Sequence, residues 1–268
     1  MVKAALAWLV CAAGCGFQSS ASPDAGDARP DAPADAPPDA GPPPRTRAGL
    51  IGLWEFDETG GAIVADTSDA SPRVPLTVVD PAAVTFSDGT MTLSGITVVD
   101  SAAKPHLDSD VIASGAVTFE AWIMPALASQ GLSAAPVVVG GLCSTINSRN
   151  LSILQVGTHW VGRVRTTTDV NGGPDLTSTA DITAGAMTHL VIVSDATQRI
   201  LYVNGRADAV DPMPSAPLSW DQSYRMVLGN EISANRQWLG TFALVAIYAQ
   251  ALTPALVMSN YLAGPAGR

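Results

Sequence analysis

Cysteine is scarce in this 268-residue chain, which holds Cys11, Cys15 and Cys143 and no others. The first two fall at the N-terminal end, so the body of the chain has one thiol and no internal disulfide. Cys143, in "GGLCST", could serve as a nucleophile only beside a base, and the competing reading is a buried, inert thiol. Histidine is just as sparse: His106, His159 and His189 sit in unrelated contexts. With no Gly-x-Ser-x-Gly elbow either, the sequence carries no nucleophilic triad motif. Basic residues are outnumbered 14 to 24, for a net charge of −10. Residues 1–47 hold four basic and five acidic residues, leaving ten and nineteen, or −9, from Ala48 onward. An acidic domain without a Lys/Arg cluster repels phosphate backbones, which excludes nucleic acid as a partner. The same charge argument weighs against sulfated glycans and lipid headgroups.

What is present divides the chain sharply. Residues 1–15, "MVKAALAWLVCAAGC", place Lys3 before an apolar run from Ala4 to Ala13 and then small residues. This is the pattern of a secretory signal, too short to span a bilayer. Ala12-Ala13-Gly14-Cys15 resembles a bacterial lipobox, in which the cysteine is diacylated and becomes the new N-terminus, although Ala12 stands where leucine is usual. Ordinary cleavage near Gly14 is the alternative. Gly16 stands where an inner-membrane retention signal would place aspartate, so resemblance to Gram-negative lipoproteins implies an outer-membrane, surface location, with plain secretion as the other outcome. Such a protein is anchored to the membrane, not spanning it. Residues 16–47 follow as a Pro/Asp/Ala-rich tether, without a large apolar side chain from Ser19 to Pro44 to offset the entropy of ordering.

Residues 48–268 are long enough for one domain with a sizeable core. Short β-branched and aromatic runs alternate with Gly, Pro, Asn, Asp and Ser. Strands are expected at Leu50 to Phe56, Thr90 to Val99, Val117 to Pro125, Val137 to Gly140, Leu151 to Val156, His159 to Thr166, His189 to Ser194, Ile200 to Asn204, Arg225 to Leu228 and Trp238 to Tyr248. Many strands at short spacing imply an all-β antiparallel sandwich or jelly roll. One helix is expected at the C-terminus, where Thr253 caps, Pro254 opens, Leu256, Val257 and Tyr261 form an apolar face, and Gly264-Pro265 stops the segment.

Five blocks in order, "GLWEFDETGGAIVADTS", "VTFEAWIMP", "THLVIVSDATQRILYVNGR", "VLGNE" and "QWLGTFALVAIYAQALTPALVMSNYLAG", resemble laminin-G-like domains of the concanavalin A-like jelly-roll superfamily. The resemblance covers residues 50–264 and implies the same fold, which hosts lectins, glycosidases and adhesion modules alike. The residues carry a physical reading of their own. In "VTFEAWIMP", Val117, Phe119, Ala121 and Ile123 share one face while Thr118, Glu120, Trp122 and Met124 share the other. Trp122 is then either packed against the second sheet or exposed as a sugar platform, and Trp54 and Trp238 pose the same choice. In "THLVIVSDATQRILYVNGR", Leu190 and Ile192 alternate with Val191 and Val193, apolar on both faces. Asn204-Gly205 suits a tight turn with positive φ.

Candidate chemistry is thin. Glycosidases of this superfamily use paired carboxylates. Glu55-Phe-Asp57-Glu58 is the nearest match, but Gly60 stands where the third acid of Glu-x-Asp-x-x-Glu belongs. The resemblance also raises Ca²⁺, the one cofactor considered. Relatives draw a ligand from an "IDEVRIY"-like strand, where Ala243 and Leu244 replace the acids here. Asp66 and Asp69 are the metal candidates that remain, and an ordinary side-chain-to-backbone turn is the alternative. Two long loops, Thr166 to Ala180 and Arg206 to Tyr224, could carry recognition. In the second, Trp220, Asp221, Gln222 and Tyr224 combine stacking with polar groups suited to a sugar, unless Trp220 packs its loop onto the sandwich. The expectation is a monomeric, exported, non-catalytic module binding a glycan or a surface protein. A glycan-cleaving enzyme on the same fold and a structural envelope component are the alternatives.

Overall fold

Sixteen strands and two α-helices are formed by the described residues, 41–101, 106–145, 147–212 and 216–266, of this computed structural model. In chain order they are β1 (Leu50–Trp54), β2 (Ile63–Val64), β3 (Leu76–Val78), β4 (Val84–Ser87), β5 (Thr90–Leu93), β6 (Val99–Asp100), α1 (Leu107–Ser114), β7 (Val117–Pro125), β8 (Val137–Thr145) and β9 (Ser148–Val156). Then come β10 (His159–Val164), β11 (Leu176–Thr177), β12 (Thr188–Ser194), β13 (Arg199–Val203), β14 (Arg206–Asp211), β15 (Arg225–Leu228), β16 (Gly240–Tyr248) and α2 (Pro254–Ala263). The first sheet runs β14-β13-β12-β7-β16-β5-β4, with β1 also on β16, and the second runs β11-β10-β9-β8-β15-β6-β3-β2. The expected antiparallel sandwich is therefore the fold. The signal segment, Cys15 and the tether up to residue 40 lie outside the described residues.

Strand alternation decides the layers. Val117, Phe119, Ala121 and Ile123 of β7 and Leu190 and Ile192 of β12 enter the core between the sheets, with Trp54, Trp238 and Trp220. The opposite faces of the same strands, through Trp122, Val191 and Val193, pack with Leu244, Tyr248 and Val257 of α2. A central strand covered on both sides must be apolar on both, which is why β12 reads as a continuous run. Trp122 is packed, but beneath α2 and not against the second sheet: its ring stacks on Tyr261 at 5.7 Å and meets His189 at 4.7 Å. Trp54 and Trp238 are fully buried, and their indole nitrogens donate to Val74 O and Gln155 Oε1, both at 2.9 Å. Leu244 is fully buried in the layer under α2, where an uncompensated carboxylate would be costly.

The second face also holds a buried polar cluster. Glu120 accepts from Arg45, from His189 Nε2 at 2.9 Å, from Tyr248 Oη at 3.1 Å and from Asn260 Nδ2 at 2.8 Å. Burial would raise this carboxylate, but the His189 hydrogen bond and the Arg45 charge outweigh it and hold the pKa down at about 2. Arg45 also donates to Gly264 O at 2.7 Å, and Thr46 N donates to Asn260 Oδ1 at 3.0 Å. The expected tether therefore ends too late at residue 47: Arg45 is only 7% exposed and belongs to the domain.

Local expectations change in several places, and the short strands β2, β3, β4 and β11 were not expected. The run Thr90 to Val99 is two strands, β5 and β6, in different sheets. The polar stretch Arg206–Asp211, expected as loop, is the edge strand β14, brought back by Asn204 (φ 50°) and Gly205 (φ 77°). Helix α1 was unforeseen because "LDSDVIAS" has modest helical propensity. It is held by burial of Leu107 and Val111 and stopped by Gly115 at φ 68°. The C-terminal helix forms as expected, with Thr253 Oγ1 accepting from Leu256 N.

Candidate functional site

A polar concavity lies at one end of the second sheet, and a β-bulge shapes it. Leu142 pairs with Leu151, yet the next residue, Cys143, pairs with Arg149, so Asn150 has no opposite number. An extra residue reverses the in-out alternation of a strand. Leu151 and Ile153 point into the core, whereas Cys143, the partner of Arg149, belongs to the apolar cluster on the outer face. Arg149 consequently joins Arg163, which alternation from Val161 already places on that face.

The loop after β10 closes the site. Arg149 and Arg163 from the strands, Asn147 from the β8–β9 turn, and Asp169, Asn171 and Asp175 from the loop line a groove of about 510 Å³, within the range of small-ligand pockets. The loop is fastened at many points. Thr166 N donates to Asp169 O at 2.9 Å, and Asn171 N donates to Asp169 Oδ1 at 3.0 Å. Arg163 grips Asp175 through two bonds of 2.6 and 2.7 Å. Buried Arg199 donates to Val164 O at 3.0 Å and also to Gly173 O. Gly172, at φ 77°, lets the loop fold back, since a Cβ there would stand 3.1 Å from Val164 N.

Two of the residues expected on a sugar-binding face, Trp220 and Asp221, instead brace this region from behind. Trp220 is 5% exposed, packs in the core and donates through Nε1 to Arg165 O at 2.8 Å. Its face is not presented to solvent, which corrects its expected role as a platform. Asp221 N donates to Asn150 Oδ1 at 2.9 Å, the residue of the bulge. Gln222 is exposed and Tyr224 half-buried, and neither lines the groove. The groove residues Asn147, Arg149 and Arg163 were not singled out from sequence, and Asp169, Asn171 and Asp175 were only part of a loop flagged by its length.

Asp66 is buried and its Oδ1 accepts from Leu53 N at 3.1 Å and Ser68 N at 2.9 Å, while Oδ2 accepts from Val74 N at 2.8 Å. Oxygens that face three amide hydrogens form the structural turn and not a cation cradle. Asp69 is exposed and lies 3.4 Å from Arg47. Among the described residues no group of three His, Cys, Asp or Glu side chains is placed to hold a metal ion. Cys143 is buried, and burial, helped by Glu231, pushes its thiol up to about 12, far from a thiolate nucleophile. Glu55 and Asp57 do share a second, smaller cleft of about 270 Å³ with Asp88 and Ala243, and Glu55 Oε2 accepts from Thr67 Oγ1 at 2.7 Å.

Residues 99–258 match the model of a family described as the concanavalin A-like lectin/glucanases superfamily. The chain belongs to that superfamily. Among solved structures, this superfamily member is similar to a Trypanosoma rangeli sialidase at 16% identity and a TM-score of 0.60, over 80% of this chain and 32% of that one. It is similar to domain 4 of AbnA, an extracellular arabinanase of family GH43 from Geobacillus stearothermophilus solved with arabinotriose. That match has 17% identity and a TM-score of 0.53, over 80% of this chain and 98% of the domain. A third is the binding domain of Paraclostridial Mosquitocidal Protein 1, at 15% identity and a TM-score of 0.53, over 80% of this chain and 52% of that one. The chain spans about a third of the sialidase's length, and at these identities the likeness is one of fold. No curated protein matches the chain.

Proposed function

We propose that the protein is an exported, non-catalytic glycan-binding module, anchored at the outer surface through a lipid on Cys15, with its ligand in the groove of Arg163, Asn171 and Asp175. The observation that carries this reading is the groove itself. Planar guanidinium, amide and carboxylate groups, positioned by two rigid strands and a braced loop, are suited to the paired hydroxyls of a sugar ring. The arabinotriose complex of AbnA domain 4 supports it as a precedent on a similar sandwich. On a glycan array the protein is expected to retain at least one oligosaccharide, and Asn171→Ala should weaken that binding about tenfold by deleting one good polar contact. A blank array rejects the reading. For the anchor, Cys15→Ser is expected to move the protein from the membrane to the soluble fraction, and unchanged partitioning rejects lipidation.

The cleft of Glu55, Asp57 and Asp88 favours a second reading, a glycan-cleaving enzyme. Release of reducing sugar from an array-positive glycan, abolished by Glu55→Gln, would select it over the first.

A further inference from the structure

Arg149 is the unusual member of the groove. It is 6% exposed, and one of its nitrogens donates to Asn171 O, whereas its Nε and Nη1 are enclosed without an acceptor. Buried guanidinium donors are ordinarily matched, because each unmatched group forfeits its hydration. The acids nearby are committed elsewhere: Asp175 is gripped by Arg163, and Asp169 Oδ1 caps Asn171 N. Burial and the adjacent Arg163 charge pull the Arg149 pKa down to about 10, against weaker support from Asp175 and Asp169. The inner wall of the groove thus carries a nearly buried cation, two of whose donors find no acceptor in the protein and whose charge the neighbouring aspartates offset only in part.

Resting on the reading of the groove as a glycan site, we infer that it selects a carboxylate-bearing glycan, a uronate chain, whose carboxylate is drawn to Arg149. Two arginines and two aspartates leave the lining formally neutral. A uronate brings one planar carboxylate per sugar, which matches the guanidinium plane of Arg149, whereas a sulfated sugar can carry more charge per residue and so meets more repulsion from Asp169, Asp175 and the −9 domain. The overall acidity that weighs against anionic ligands is a long-range property, screened within about 10 Å at ordinary ionic strength. Arg149 acts at contact distance.

The test compares galacturonate, glucuronate and mannuronate oligomers with their methyl esters and with sulfated and neutral oligosaccharides, using the full chain in titration calorimetry. The methyl ester keeps the sugar and removes the charge. At least one free acid should bind about tenfold or more tighter than its ester. Arg149→Met should erase that difference. Asn147→Asp, at an exposed turn position where it leaves the fold intact, should weaken the acid more than the ester. Equal binding of acid and ester, or tighter binding of neutral or sulfated chains, overturns the carboxylate inference while keeping a glycan site. Absence of binding to every glycan overturns the proposed function itself.

Discussion

Replacing Arg45 by methionine is expected to lower the melting temperature by about 10 °C. Arg45 sits opposite Glu120, which has no exposed surface, so the substitution strands a buried carboxylate. Breaking one side of a buried ion pair costs about 3–5 kcal/mol, and each kcal/mol moves the midpoint of a domain this size by about 2–4 °C. The pH dependence gives the sign independently. Glu120 titrates near 2 in the fold, below its ordinary 4.5. Its stabilisation is therefore present above the unfolded pKa and is lost as pH falls towards 2. Without Arg45 the carboxylate rises, so acid unfolding should begin at higher pH. Arg45→Met combined with Glu120→Gln should recover much of the loss, because the stranded charge is gone. A melting temperature unchanged in Arg45→Met would show that the Arg45–Glu120 pair contributes nothing to the stability of the domain.

Asp108→Asn should stabilise the protein above neutral pH. Asp108 is fully buried at the start of α1, accepts from Asn150 Nδ2 at 2.7 Å and leaves Oδ2 without a partner. Burial, with Asp221 adding to it, outweighs the Asn150 bond and pushes its pKa up to about 7 from 3.8. For a carboxyl raised in the fold, stability is complete below the unfolded pKa, falls as pH climbs from about 4 to 7 and stays reduced beyond. A shift of about three units corresponds to about 4 kcal/mol, so the neutral amide should recover a few kcal/mol at pH 8 and little at pH 4.5. Denaturant unfolding across that range measures both. The same slope in the variant and the parent would exclude Asp108 as its source. The effect also bears on the groove, because Asn150, which bonds Asp108, is the bulged residue that turns Arg149 outward.

Much of this architecture was legible in local pattern. Alternation in Val117–Pro125 named both faces of β7, the doubly apolar Leu190 to Val193 marked a strand covered on both sides, and Asn204-Gly205 marked a tight turn. Thr253, Pro254 and Gly264 bounded α2. These features depend on one-residue conformational preferences and on the two-residue or 3.6-residue periods of the backbone, which a linear chain displays. The site was legible only as a long loop. Trp220 has the composition of a sugar platform, but whether an indole faces solvent or core depends on Arg165, 55 residues away. Arg149 reads as an ordinary strand residue until the pairing of Cys143 with it skips Asn150. Arg45 reads as the end of a polar tether until Glu120, 75 residues on, receives it. Sequence alone therefore determined most of the longer strands, the bounds of α2 and the superfamily. The tertiary structure decided where charges are buried and which polar groups meet, because burial and register belong to contacts between distant segments.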